Sequence, residues 1–565
     1  MAMNEMMVKL QTLWPEMTLL IGAVACLATG LSGVWWVRKS TAVVAGVAIG
    51  VAQLFATGVI GPGLEVASEG DGHPLGLDAA VVYLKVAALA VGLVLLLVAA
   101  RTPEHLKQVV TAESKAAFEP GDDFRGEFFA FFLFSLTGVL LTAGATDLVW
   151  LFLALELTSL PTYILVATGR DKAWAQESAV KYFFLGAMAA AVFLFGFALI
   201  YAASGFTTYA GIHAYVVDRA GADGGLPPLM LVGMVLAVVG VGFKIAAVPM
   251  HFYTADVYEG AAVPVTAMLA FVPKAAGFAA LIGLLSLVGW RYGPDGDRLP
   301  LVLEVLIAVM AVATMTVGNV LGLMQSRVKR VLAYSSVAHS GYMLVGLLAG
   351  SSVGGGGLGN GVSAIAFYLV AYGLGTIASF AVLGCLHGPE GDEAATYDDL
   401  SGLRHRHPFL AGTLLVACLS LLGFPFTVGF IGKINLSAAG FVSGHGLVVI
   451  ALVLNSAISA AYYLRIGSVC FFGKDYGTTE ARYVPVRITG AIIASVMSIG
   501  LGLQGGWLES RALEAGVVAE RETGSDEEAA QKAAPSAGFG GGVDGGEAVD
   551  GESRGVVSAG TLGDP

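Results

Sequence analysis

Two lysines lie in otherwise apolar sequence between Gly240 and Phe278, GVGFKIAAVPMHFYTADVYEGAAVPVTAMLAFVPKAAGF, and each stands close to a proline. Lys244 precedes Pro249 by five residues, and Lys274 directly follows Pro273. An ionisable group at membrane depth costs several kcal/mol, so it is rarely found there without a task. A proline removes a backbone hydrogen bond and kinks its helix, which leaves polar main chain beside the ammonium. Broken apolar helices that carry charge are the pattern of an ion path. The competing explanation, that both lysines snorkel to an interface, requires each side chain to reach past about eight mostly apolar residues on its shorter side.

Other candidates extend the pattern. Glu156 sits near the centre of TDLVWLFLALELTSLPTYILVAT, about 14 Å from the outer end at 1.5 Å per residue. A lone carboxylate there would protonate, whereas one facing a lysine shares its charge and acquires a tunable proton affinity. Pro161, one turn on, predicts a weakened helix beside it. Lys181, in SAVKYFFLGAM, is a mid-to-inner-depth candidate. Lys433 follows Pro425, Gly429 and Gly432 in SLLGFPFTVGFIGKINLSAAG, a second proline-broken helix with a lysine. His339, among Ser335, Ser336, Ser340 and Tyr342, suits a proton relay and a satisfied structural histidine equally well. Lys85 is expected to snorkel to the outer interface or to Asp78 rather than to move protons. Asp256 and Glu259 share a short loop with no basic residue, where they either collect protons or are simply solvated.

The elements that must hold these residues follow from composition. Of 565 residues, 56% are hydrophobic and 13% charged, which excludes a soluble globular chain. A span needs about 20 apolar residues. Fourteen such stretches run at 15–36, 40–60, 77–100, 127–145, 147–168, 175–203, 229–251, 262–286, 300–321, 331–350, 361–386, 409–436, 446–466 and 485–505. Odd-numbered loops hold seventeen Lys and Arg, against four in the N-terminus and even-numbered loops. The positive-inside bias therefore places the odd loops in the cytoplasm and both termini outside. Five basic residues remain inside spans: Lys85, Lys181, Lys244, Lys274 and Lys433. The lysine-bearing broken helices are five spans apart, the arrangement that an inverted repeat of five helices produces. The fold class expected is an all-α polytopic membrane protein of about fourteen transmembrane helices with two inverted five-helix repeats containing proline-broken helices. Its parts are an N-terminal three-helix segment with a cytoplasmic loop (1–126), a first repeat (127–286), a second repeat (300–466), a final helix (485–505) and a disordered acidic tail (507–565). That tail holds twelve acidic and four basic residues, so most of the net charge of −12 belongs to it. Cys26, Cys385, Cys418 and Cys470 are widely spaced and form no CxxC pair, so metal and redox sites are not expected. The HxH of His405 and His407 is weak evidence for metal, and the run Gly354–Gly357 is a turn rather than a phosphate cradle.

On the stretches LALELTSLPTYIL, GFKIAAVPMHFYTADVYEGAAVPVTA, FVPKAAGF, RVKRVLAYSSVAHSGYM and LLGFPFTVGFIGK, the chain resembles the antiporter-like membrane subunits of respiratory complex I. The VYEG after the seventh span favours the NADH-quinone oxidoreductase subunit N family among them. The resemblance covers residues 15–505 and departs at Ala262, where proline is expected. It implies that Glu156 and Lys244 form a carboxylate–lysine pair with Lys181 nearby, that Lys274 is the central relay, and that Lys433 serves the outward half-channel. It implies no cofactor in this chain, with FMN, iron–sulfur clusters and quinone carried by partner subunits. The partners implied are other membrane subunits of complex I and the lipid bilayer, not nucleic acid, in the inner membrane of a bacterium with both termini periplasmic. The function implied is proton translocation coupled to quinone reduction elsewhere. A cation/proton antiporter component of the same fold and a non-pumping scaffold are the alternatives. The scaffold is disfavoured because five buried lysines and a glutamate cost more than apolar replacements.

Overall fold

Every main-chain amide and carbonyl within a bilayer must find a partner inside the protein, so a chain this apolar folds as helices. The computed structural model describes residues 12–60, 77–100, 125–170, 172–223, 225–292, 298–351, 359–387, 393, 396–475, 479–481 and 484–516. Ten helices among these are long and apolar enough to cross a membrane. In chain order the helices begin with α1 (Trp14–Gly30), α2 (Trp35–Lys39), α3 (Thr41–Ala56), α4 (Asp78–Ala99), α5 (Arg125–Ala143), α6 (Leu148–Thr168) and α7 (Ala173–Ser204). Then follow α8 (Tyr209–Asp223), α9 (Pro228–Val241), α10 (Thr254–Gly260), α11 (Val263–Val288), α12 (Leu301–Leu323), α13 (Val328–Ala349) and α14 (Gly361–Leu383). The last are α15 (Tyr397–Leu400), α16 (Leu403–Arg406), α17 (Pro408–Leu422), α18 (Val428–Val442), α19 (Gly446–Phe472), α20 (Pro485–Leu503) and α21 (Gly505–Gly516). Each of the fourteen expected spans contains a helix. The strand Leu386–His387 pairs antiparallel with Glu480–Ala481.

Helices α11 and α14 are buried along their whole length, and α13 almost so. These three form the centre of the bundle, and they carry Lys274, His339 and the tyrosines around them. Helices α7, α12, α19 and α20 turn much of their apolar surface outward, as lipid- or partner-facing helices do. Because lipid removes the hydrophobic drive for helix association, contact depends on small residues that let backbones approach. A Cβ on Gly196 of α7 would come within 2.6 Å of the Ala237 amide on α9, so only glycine fits there. Helix starts are capped where the chain turns: Asp147 Oδ1 accepts from the amides of Val149 and Trp150, and Asn360 Oδ1 accepts from Ser363.

Four expectations are corrected. Pro161 and Pro273 both lie inside helices that continue past them, α6 and α11, so neither breaks its span. The interruption near Lys244 is instead much wider than a proline kink, with no α-helix between Val241 and Thr254. The acidic tail does not start at 507: α21 is helical to Gly516, with Leu508 and Ala512 buried, and the rest of the tail lies outside the described residues. Lys85 does not snorkel. It is 4% exposed and pairs at 2.7 Å with Glu16 of α1, itself 2% exposed. The two residues stand 69 positions apart in sequence, and only the tertiary structure brings them together.

Breaking a buried pair by removing one partner costs about 3–5 kcal/mol, whereas replacing both by apolar residues is often neutral. Lys85→Met alone is therefore expected to lower the thermal midpoint and membrane accumulation, and Glu16→Leu with Lys85→Met to recover most of the loss. A Lys85→Met protein as stable as the parent would show that the pair contributes nothing.

Candidate functional site

The site is built around the interruption after α9. Leaving the helix at Val241 frees main-chain groups in the bundle interior, and each needs a partner. The chain passes Ala246 with φ of 56°, and the Ala247 amide turns back to the Gly242 carbonyl. Thr314 of α12 accepts from the Val248 amide at 2.9 Å, and Tyr253 Oη donates to the Phe243 carbonyl at 2.8 Å. The Ile245 carbonyl is left pointing inward, where Lys274 Nζ donates to it at 3.0 Å and Ser340 Oγ also donates to it. One freed carbonyl thus joins the backbone beside Lys244 to the Lys274 ammonium.

Lys244 itself is buried and turned toward α6. Its Nζ donates to Glu156 Oε1 at 3.1 Å, to Ser159 Oγ and, at 3.4 Å, to the Leu155 carbonyl, and it lies 5.7 Å from the Phe193 ring centroid. Glu156 keeps 18% of its side chain exposed while Lys244 keeps 2%. The pair expected from the sequence is therefore formed, with Ser159 as a third member that the sequence alone had not singled out. Its spacing, three residues after Glu156 on one helix face, was the available signal.

Lys274 has a second contact at 2.6 Å, to Ser340 Oγ, and its Nζ lies 6.0 Å from the Tyr372 ring centroid. The adjacent His339 is held on both ring nitrogens, with Nδ1 2.7 Å from Tyr368 Oη and Nε2 2.9 Å from Tyr463 Oη. Tyr463 Oη also bonds Ser335 Oγ. His339 is thus both structurally satisfied and linked into a hydroxyl network. Tyr368, Tyr372 and Tyr463 were invisible as site residues because an apolar-helix tyrosine has no local pattern that distinguishes a network member from core.

Lys433 repeats the motif of a lysine against a freed carbonyl. The five-residue connection from α17 to α18 passes Gly423 at φ of 83° and Phe426 at φ of 73°, and Lys433 Nζ donates to the Leu422 carbonyl at 2.7 Å. It also donates to Ser456 Oγ at 2.9 Å and lies 4.9 Å from the Tyr342 ring centroid. Tyr342 in turn accepts from Asn319 Nδ2, which also reaches Asn455, so α12, α13 and α19 share one polar seam.

Lys181 stands apart from this chain. Its side chain is 45% exposed on the outer face of α7 and pairs with Glu177 at 2.8 Å and Asp256 at 3.3 Å rather than with Glu156. The segment expected as a short acidic loop is instead helix α10, and its carboxylates are paired. Arg330 pairs with Asp256 at 2.8 Å, and Arg327 pairs with Glu259. Partial burial works against the Asp256 carboxylate, but the hydrogen bonds from Arg330 and Lys181 outweigh it and hold its carboxyl below the usual carboxylate range. It stays ionised at neutral pH and is a weak collector of protons. These two arginines come from the start of α13, Arg327 just before its first residue and Arg330 in its first turn, far off in sequence.

Among the described residues, no group of three or more His, Cys, Asp or Glu is placed to hold a metal ion, and Cys26, Cys385, Cys418 and Cys470 are separately buried as free thiols. A family model described as NADH:quinone oxidoreductase/Mrp antiporter, TM, matches residues 145–459, which include all six candidate residues. NADH-quinone oxidoreductase subunit N of Trichlorobacter lovleyi is 42% identical over 347 residues, 61% of this chain and 68% of the relative. The subunit of the same name from Salinispora arenicola is 38% identical over 466 residues, 80% of this chain and 81% of the relative. Among solved structures, one of respiratory complex I from Thermus thermophilus with bound aureothin contains a similar chain, with a TM-score of 0.67 and 30% identity over 88% of this chain and 100% of that one. With more than half of its length matched by the family model and a relative 38% identical over 81% of that relative's length, the chain belongs to the NADH:quinone oxidoreductase/Mrp antiporter family, and within it to the NADH-quinone oxidoreductase subunit N proteins.

Proposed function

We propose that this chain is a proton-translocating membrane subunit of an NADH:quinone oxidoreductase, in which Glu156, Lys244, Lys274, His339 and Lys433 form the relay. The observation that carries this reading is the Ile245 carbonyl, which places the Lys274 ammonium against the backbone of the Lys244 segment. A proton held on Lys244 while it is paired with Glu156 becomes transferable when the pair opens, because losing an adjacent carboxylate weakens the hold of any ammonium on its proton. Lys274 receives it next to Ser340, and His339 with its tyrosines spans the interval toward Lys433. Helices α5 to α11 and α12 to α19 act as two inverted repeats, each with its fourth span broken beside a lysine. The quinone, FMN and iron–sulfur chemistry lies in partner subunits, and this chain meets neighbouring membrane subunits through its outward apolar helices. The loops containing Arg170, Arg327 and Arg404 face the cytoplasm, and both termini face the periplasm.

Lys244→Ala and Lys274→Ala are each expected to lower NADH-driven proton pumping by roughly tenfold or more, measured in membranes with matched complex content. Parent-level pumping in both variants would reduce the chain to a scaffold. Glu156→Asp is expected to keep more activity than Glu156→Gln, since charge on Lys244 matters more than reach. Lys274→Arg is expected to be nearly inactive, because a guanidinium does not release its proton. A smaller effect, about threefold, is expected for Ser340→Ala, because Lys274 still satisfies the Ile245 carbonyl when the hydroxyl is gone. A loss as deep as that of Lys274→Ala would instead make Ser340 an obligatory carrier.

A further inference from the structure

The chain between α10 and α11 leaves the helical conformation at Ala261 and Ala262, with ψ of 150° and 146°. Such a break exposes carbonyls on its N-terminal side and amides on its C-terminal side. Both sets are met by one ion pair. Lys329 Nζ, 1% exposed at the base of α13, donates to the Ala261 carbonyl at 2.7 Å and lies 3.4 Å from that of Glu259. Glu393, from the loop between α14 and α15, accepts the first amide of α11, that of Val263, on Oε1 at 2.9 Å. The two side chains then meet each other, Lys329 Nζ to Glu393 Oε2 at 3.2 Å. The cation lies on carbonyls and the anion lies at the start of a 26-residue helix, so each charge also matches the local backbone dipole.

The elements that converge here are those that carry the relay. Arg170, just beyond the end of the Glu156 helix α6, also donates to Glu393 Oε2. Helix α10 continues the interrupted segment of Lys244, α11 carries Lys274, and α13 carries both Lys329 and His339. Glu393 is itself bridged through its backbone to His387, and Thr396 to Arg327, with Thr396 and Asp399 forming a capping box. Glu393 thus meets Arg170 beyond α6, Val263 at the start of α11 and Lys329 of α13.

We propose that Lys329 and Glu393 are positioning residues for proton transfer: a polarity-matched splice across the α10–α11 break that sets the spacing of Lys244 and Lys274. The proposal rests on the relay reading above, and it adds a requirement that an ordinary salt bridge lacks. The pair must be oriented, with the cation toward Ala261 and the anion toward Val263. Exchanging the two residues preserves the ion pair but sets an anion against carbonyls and a cation against an amide.

The test measures protons pumped per NADH oxidised in membranes containing the whole complex, with subunit content matched. Glu393→Gln and Lys329→Met are each expected to lower this ratio by roughly tenfold, within the roughly hundredfold that misplacement by about 1 Å can cost a positioned reaction. Lys329→Arg, which keeps a cation able to reach both carbonyls, and Glu393→Asp are expected to recover most of it. The exchange of Lys329→Glu with Glu393→Lys is expected to remain as uncoupled as the single variants. Parent-level coupling in Glu393→Gln, or recovery in the exchanged protein, overturns the proposal. If neither single variant accumulates, the exchanged protein decides alone. Failure of all three to accumulate assigns the pair to folding only and equally overturns a positioning role. Lys274→Ala is run in parallel: parent-level pumping there removes the relay reading itself, whereas loss in Lys274→Ala beside full coupling in Glu393→Gln removes only the splice.

Discussion

A polar main-chain group in the interior of a membrane protein cannot be left to solvent, and much of this molecule follows from that constraint. Where the helix stops at Val241 and again at Leu422, carbonyls come free in the bundle, and in both places a lysine side chain takes one of them. The breaks and the lysines are therefore not two features that happen to coincide. A break without a donor would leave an unsatisfied carbonyl, and a lysine without an acceptor would leave an unpaired cation. Each removes the cost of the other.

The buried ammonium groups fall into two kinds. Lys85, Lys244 and Lys329 each meet a carboxylate, Glu16, Glu156 and Glu393, contributed by a different element. Lys274 and Lys433 hydrogen-bond to carbonyl and hydroxyl oxygens, with a tyrosine ring nearby. A neutral acceptor tolerates either protonation state of its lysine, since a hydroxyl can reverse its hydrogen bond when the proton leaves. A carboxylate binds one state strongly. The first kind suits holding a proton or a structure in place, and the second suits passing a charge on. The tyrosine and asparagine seam, in which Asn319 donates to Tyr342 and to Asn455 and accepts from Tyr462, supplies groups that both donate and accept.

Positions along one helix and the balance of charge between loops are local quantities, and the sequence by itself determined whatever depends on them. Fourteen apolar stretches of spanning length each came to contain helix, ten of them in helices long and apolar enough to cross a membrane, and Glu156, Lys244, Lys274, His339 and Lys433 had to lie inside because apolar residues surround them on both sides. Pairing is not local. Glu16 with Lys85, Asp256 with Arg330 and Glu393 with Lys329 join residues 64 or more positions apart, and nothing in the intervening chain encodes which helices will touch. The width of a break is not local either. Pro161 and Pro273 sit inside helices that continue past them, while the segment from Gly242 to Tyr253 lies outside any α-helix, with Thr314, Lys274 and Ser340 from other helices accepting from or donating to its open backbone groups. Only the tertiary structure could decide these matters, since the free energy of a buried charge or an open backbone group belongs to the contact and not to the residue.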